Sequence, residues 1–252
     1  MDLFQSPGAS HQHSLQTIES IAAYDDFMDS LNVICDMGCG NGLDILWWAN
    51  ATYIDDSDKK QPRNYKCYGV DLNTSMVADC PDDMRLITQD FEEPLRNMPL
   101  IDLLWCHDSF RFATNPLNTL GVWNQQVNDN GMICLTVPQT VNIVYNKTVT
   151  RTFPGCYYSY NITNLLYMLA VSGFDCKDGH FVKYPNDPWI HCVAYKSEHV
   201  PMDPKKTSWY DLVSKGLLPD SADKSIDKYG YLKQEDLQTH WLNGQFIDWS
   251  KV

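Results

Sequence analysis

The chain has 252 residues, 44% of them hydrophobic, and carries 19 Lys and Arg against 32 Asp and Glu, a formal net charge of −13. That length suffices for one α/β domain with an appendage. The acidic balance, uninterrupted by any basic cluster, argues against a duplex-binding surface, because phosphate contacts need concentrated Lys and Arg, and a cationic or neutral partner suits such a field better.

Nine cysteines are scattered without a C-x-x-C pair and read as reduced thiols in a cytosolic compartment. The first thirty residues lack the apolar core of a signal peptide, and no run approaches the ~20 apolar residues of a membrane span. A cytoplasmic protein that uses no membrane and no metal is expected, and the Asn-x-Ser/Thr matches at Asn50, Asn73, Asn146 and Asn161 are then chance sequons.

In chain order, residues 1–13 are polar, include His11 and His13, and read as a mobile arm. From Ser14, a candidate cap, Leu15, Ile18, Ile21 and Ala22 follow helical spacing, and the pattern extends to Ser30. Val33–Met37 is a short apolar strand ending in a glycine-rich turn, and Leu43–Ala51 is helical, with Trp47 and Trp48 directed to a core. Residues 52–64 form a charged surface loop. Strands follow at Tyr65–Leu72, Met84–Phe91 and Ile101–Phe110, the first two with an acid near the end.

Asn118–Gln126 is a helix candidate, and Gly131–Pro138 a fifth strand closed by proline. An aromatic insertion leads to a helix at Ile162–Ser172, then to strands near Gly179–Tyr184 and Trp189–Lys196. Beyond Pro201 two short helical patterns stand at Ser208–Lys215 and Gln234–Leu242, with enough Leu and Trp to pack on the preceding domain or on a partner. Strands alternating with helices predict an α/β fold with a mostly parallel sheet. The expected division is 1–30 as arm and helical cover, 31–198 as the main domain, and 199–252 as a C-terminal helical extension.

The turn itself, "DMGCGNG" from Asp36 to Gly42, puts three glycines where a ligand can approach without meeting a Cβ. A dinucleotide fold wants G-x-G-x-x-G, and here Leu43 takes the place of the third glycine; G-x-x-x-x-G-K-[ST] is also absent. The acid-spacer-GxGxG pattern of Asp36, Gly38, Gly40 and Gly42 resembles the class I S-adenosylmethionine-dependent methyltransferase family, and the resemblance extends to about Lys196. It implies a Rossmann-like seven-stranded sheet and S-adenosylmethionine as cofactor, with S-adenosylhomocysteine as product. It further implies that Asp71, beside Leu72, holds the ribose hydroxyls, that Asp90 and Phe91 hold the adenine, and that the strand containing Cys106 lines the methionine end. The crossover between Gly42 and Asp71 is longer than a minimal helix-turn connection.

Methyl transfer from a sulfonium is an in-line displacement, so alignment carries most of the catalysis, and a general base matters only where the nucleophile has a proton to lose. His107 is the candidate base, with Asp108 to orient it or to contact the substrate. "HDSF" stands where exocyclic-amine methyltransferases carry [DNS]PP[YF], which argues against DNA amino methylation. Tyr157 and Tyr158 of the aromatic insertion are candidates to grip a planar or cationic acceptor, and Tyr24, in the helical cover, is a further substrate-binding candidate. The expected function is methyl transfer to a small-molecule acceptor. Protein methylation, and a binding protein that keeps the fold without turnover, are the alternatives.

Overall fold

A computed structural model describes residues 7–77, 80–81, 83–139, 158–184 and 189–251. Two helices open the chain, α1 (Pro7–Ala22) and α2 (Asp25–Ser30). Strand β1 (Val33–Met37) leads through the glycine turn into α3 (Leu43–Ala49). A hairpin, β2 (Thr52–Ile54) and β3 (Lys60–Pro62), precedes β4 (Lys66–Asp71), β5 (Arg85–Thr88) and β6 (Ile101–His107). Then come α4 (Pro116–Gln126), β7 (Val127–Pro138), α5 (Ile162–Val171), β8 (Phe174–Val182) and β9 (Trp189–Lys196). The chain closes with α6 (Trp209–Ser214), α7 (Ala222–Ser225) and a second hairpin, β10 (Gln238–His240) and β11 (Phe246–Asp248).

The seven-stranded sheet has the order β5-β4-β1-β6-β7-β9-β8. Pairs from β5 through β7 are parallel, while β9 runs antiparallel to both β7 and β8. All five residues of β1 are buried, as a central strand covered on both faces requires, and this is why the strand reads as a continuous apolar run. Helix α4 starts with Pro116 behind the Asn115 cap, and α5 with a reciprocal capping box between Asn161 and Asn164. Strand order reverses at β1, so the ends of β1, β4 and β6 open a crevice at the carboxyl edge of the sheet.

Several local expectations are corrected. The helix expected from Ser14 begins at Pro7, so residues 7–13 are helical rather than a mobile arm, and Ser14 lies inside α1, where its hydroxyl bonds Asp44 instead of capping. Residues 52–64 form a hairpin. The Asp55 carboxylate accepts the Ser57 and Lys59 N–H groups and the Gln61 amide, which fixes the turn. Of Gln234–Leu242 only Gln234–Asp236 is helical, as a single 3₁₀ turn: Leu237, Thr239 and Trp241 are buried alternately, a period of two, and Asn243-Gly244 makes the reversal into β11.

The extension beyond residue 199 packs against the β8 edge of the sheet. Thr239 Oγ1 donates to the Phe181 carbonyl, and the Cys176 N–H donates to Leu217 O. Leu212, Leu217, Trp241 and Trp249 join the same buried cluster as the sheet.

Candidate active site

The turn after β1 divides its three glycines by task. Gly38, Gly40 and Gly42 all have positive φ, at 80°, 53° and 78°. A Cβ on Gly38 would lie 2.3 Å from Ser109 Cβ, and one on Gly42 would lie 2.6 Å from Val77 Cγ1. Those two positions are filled by the protein's own packing. A Cβ on Gly40 would meet nothing within 4 Å, so this is the point at which the backbone faces open space.

Hydrogen bonds hold the turn to its neighbours. Gly38 and Cys39 N–H both donate to Val70 O, and the Gly40 N–H donates to Asp71 Oδ2 at 2.9 Å. The other Asp71 oxygen accepts the Asn73 N–H, which sets the carboxylate at the end of β4 in one orientation. Leu72, next to it, is 72% exposed. Ser109 Oγ donates to the Gly38 carbonyl, clamping the turn from the loop after β6. Asp90 Oδ1 accepts the Glu92 N–H, and the Phe91 ring packs on Trp123, whose indole N–H donates to Phe91 O.

The site is strongly acidic. Asp36 is buried, and burial first, then the charges of Asp44 and Asp71, push its carboxyl well above the usual range. Asp44, at the start of α3, accepts hydrogen bonds from Ser14 of α1 and from the Trp105 indole of β6. Helix α1 is thereby bonded to the helix that follows the glycine turn.

At the end of β6, His107 is 8% exposed, with its ring 6.5 Å from that of His191 on β9. His191 is fully buried. Its Nδ1 lies 2.8 Å from the Thr17 hydroxyl of α1 and 3.2 Å from that of Thr136 on β7. Asp108 follows with φ +58° and forms an ion pair with Arg111 at 3.1 Å. Burial raises the Asp108 carboxyl to about 7, against the opposing pull of Arg111. The guanidinium lies 4.8 Å from the Phe112 ring and 5.5 Å from Trp189.

Gly40, Asp71, Leu72, Asp90 and Phe91 therefore stand at the carboxyl ends of β1, β4 and β5, while Asp36 is buried beneath them and Gly38 and Gly42 are packed against Ser109 and Val77. Cys106 is fully buried, with burial pushing its thiol up, and presents no side-chain surface there. Asp108 pairs with Arg111. Tyr24 donates to the Leu242 carbonyl and so ties the start of α2 to the C-terminal segment, and Tyr158 donates to Thr114 O. Tyr157 lies outside the described residues. Ser109, Arg111, Thr17 and His191 were missed by sequence reasoning. The first two stand inside the "HDSFRF" segment itself, whereas His191 joins the site only through the antiparallel register that sets it opposite Thr136.

No family model and no curated relative matches the sequence. Solved structures do match. The 1,6-didemethyltoxoflavin-N1-methyltransferase of Burkholderia thailandensis, crystallised with 1,6-didemethyltoxoflavin and S-adenosylhomocysteine, aligns with a TM-score of 0.54 and 14% identity over 71% of this chain and 77% of that one. A putative S-adenosylmethionine-dependent methyltransferase from Listeria monocytogenes aligns with 0.54 and 14% over 76% of this chain and 100% of that one. Magnesium protoporphyrin IX methyltransferase from Synechocystis PCC 6803, with bound S-adenosylhomocysteine, aligns with 0.52 and 19% over 75% and 84%. With the strand order and the glycine turn, these likenesses show that the chain has the class I S-adenosylmethionine-dependent methyltransferase fold.

Proposed function

We propose that the chain is an S-adenosylmethionine-dependent methyltransferase acting on a small-molecule acceptor. The observation that carries this reading is the cradle at Gly40: backbone open to a ligand, bonded at its N–H to the carboxylate of Asp71. In this reading Asp71 and Leu72 hold the ribose, Asp90 and Phe91 the adenine, and the turn from Asp36 to Gly42 the methionine portion. The carboxylates of Asp44 and Asp71 favour a ligand with a cationic centre. When bound, the cofactor supplies an electrophilic methyl group on its sulfonium.

The chain's own residues then align and enclose the acceptor. In this reading α1, bonded through Ser14 to α3 and through Thr17 to His191 of β9, helps to exclude water from the acceptor. Asp108 and His107 are the proton acceptors for a protic nucleophile, and Asp108 suits that role because its burial brings it close to neutrality. Three of the similar structures bear the names of small-molecule methyltransferases or contain S-adenosylhomocysteine, which supports both the cofactor and the acceptor class.

Among the described residues no helix is long and apolar enough to cross a membrane, and eight described cysteines are free, consistent with the cytoplasmic setting we assign. We also keep the division into cover (1–30), methyltransferase unit (31–198) and extension (199–252).

Calorimetric titration with S-adenosylmethionine and S-adenosylhomocysteine tests the reading. Both are expected to bind the wild-type chain at one site, with Asp71→Ala weakening each at least about tenfold, the loss of a charge-assisted hydrogen bond. Absence of binding to the intact chain would overturn it.

A further inference from the structure

Helix α3 is apolar on both sides. Ile45 and Trp48 are buried against the sheet, as a surface helix requires, yet Leu43, Leu46 and Trp47 point the other way. A helix with apolar residues on two faces needs a second cover. It receives only a partial one: α2 and the end of α1 approach from one side and the β2–β3 hairpin from the other, leaving a groove of about 880 Å³. That volume lies in the range of small-molecule sites.

The hairpin, which lengthens the first crossover, supplies the opposite wall. Its Tyr53 and Ile54 are 42% and 64% exposed and line the groove instead of packing into the core. Ile54 is paired directly across the ladder with Lys60, so an apolar side chain and an ammonium share one face. Arg63 lies over the Tyr53 ring and forms an ion pair with Asp29. Two cations and one carboxylate thus line a groove on a chain whose net charge is −13.

We propose that this groove is a second ligand site, for a small molecule that joins an aromatic ring system to an anionic group. The rings lie between Trp47 and the hairpin edge that carries Ile54 and Lys60 on one face and Tyr53 on the other, where aromatic and aliphatic surface is already desolvated in part. The anion meets Lys60. The site is separate from the glycine cradle, because it uses the face of α3 opposite to the one that carries Ile45 and Trp48.

The probe is 1-anilinonaphthalene-8-sulfonate, titrated by fluorescence and calorimetry against the full chain in the presence of excess S-adenosylhomocysteine. One saturable site is expected, weakened at least tenfold by Lys60→Glu and by Ile54→Asp. Both positions are exposed, and unchanged circular dichroism and melting are expected for the two variants. The neutral parent, N-phenyl-1-naphthylamine, is expected to bind at least tenfold more weakly and to ignore Lys60→Glu.

No saturable binding, binding unchanged in both variants, or displacement by S-adenosylhomocysteine would overturn the proposal. Equal affinity for the neutral parent would overturn its anionic part. The variants decide the matter even if the chain fails to bind S-adenosylhomocysteine, so failure of the methyltransferase reading and failure of this one are distinguishable.

Discussion

The Gly40 N–H donates to Asp71 Oδ2 at 2.9 Å, joining the turn after β1 to the end of β4. The carboxylate is therefore held in place before any ligand arrives, with its second oxygen fixed by the Asn73 N–H. A group oriented in advance loses little entropy on binding. Asp71→Asn keeps an acceptor for the Gly40 N–H and removes the charge. Its NH2 then faces the Asn73 N–H, so it should fold with about 1 kcal/mol less stability while S-adenosylhomocysteine affinity, measured by calorimetry, falls about tenfold.

Gly38 and Gly40 should fail differently when replaced. Alanine at Gly38 meets Ser109 Cβ at 2.3 Å and sits at φ +80°, so Gly38→Ala should lower stability by about 3 kcal/mol or more. Alanine at Gly40 meets no atom within 4 Å, and its left-handed φ of 53° costs about 1 kcal/mol. Gly40→Ala should stay folded by urea denaturation and still lose cofactor binding, because the methyl group occupies the ligand's side of the turn. Retained binding in folded Gly40→Ala would remove this glycine from the site.

The sheet and the cradle were legible because they depend on local signals. Apolar strands, an acid at a strand end and glycines at alternate positions are all written within ten residues of one another. The pairing of Asp108 with Arg111, and the meeting of Thr17, Thr136 and His191, were not. The first depends on a left-handed backbone at Asp108, and the second on three elements brought together by the antiparallel β9. The Gln234–Leu242 stretch was misread because its alternating burial of Leu237, Thr239 and Trp241 is also compatible with apolar residues four apart, i to i+4, at Leu237 and Trp241.

Asp108 makes the stability of the chain depend on pH in an unusual direction. Its carboxyl titrates at about 7 when folded, because burial outweighs Arg111, and near 3.8 when unfolded. Between these values the folded state binds more protons, so the contribution is fully present below about pH 4 and is lost as pH rises to about 7. The full swing is on the order of 4 kcal/mol. Asp108→Asn cannot ionise, so its stability relative to wild type should rise steadily across this window in urea titrations at successive pH values. A constant difference would show that Asp108 titrates normally.

The cover should be loosened by Thr17→Val. The substitution preserves shape and deletes the hydroxyl that lies 2.8 Å from His191 Nδ1. A loss of about 1 kcal/mol is expected. Hydrogen exchange should quicken in α1 while the amides of β1 and β6 remain protected, because only the helix loses its contact. Unchanged exchange in α1 would mean that Ser14 and apolar packing suffice to hold it.

The extension beyond residue 199 should unfold together with the sheet. Trp249 is buried and donates its indole N–H to Thr239 Oγ1, which in turn donates to the Phe181 carbonyl on β8. Leu212, Leu217 and Trp241 share the same buried cluster. Trp249→Ala should therefore destabilise the whole chain by about 3–5 kcal/mol, with far-ultraviolet dichroism and tryptophan fluorescence still moving in one coincident transition. Trp249→Phe retains much of the packing and loses the indole hydrogen bond, so its effect should be smaller. An early, separate transition in Trp249→Ala would instead make the extension an independently melting unit, since a shared core cannot lose one part and keep its midpoint.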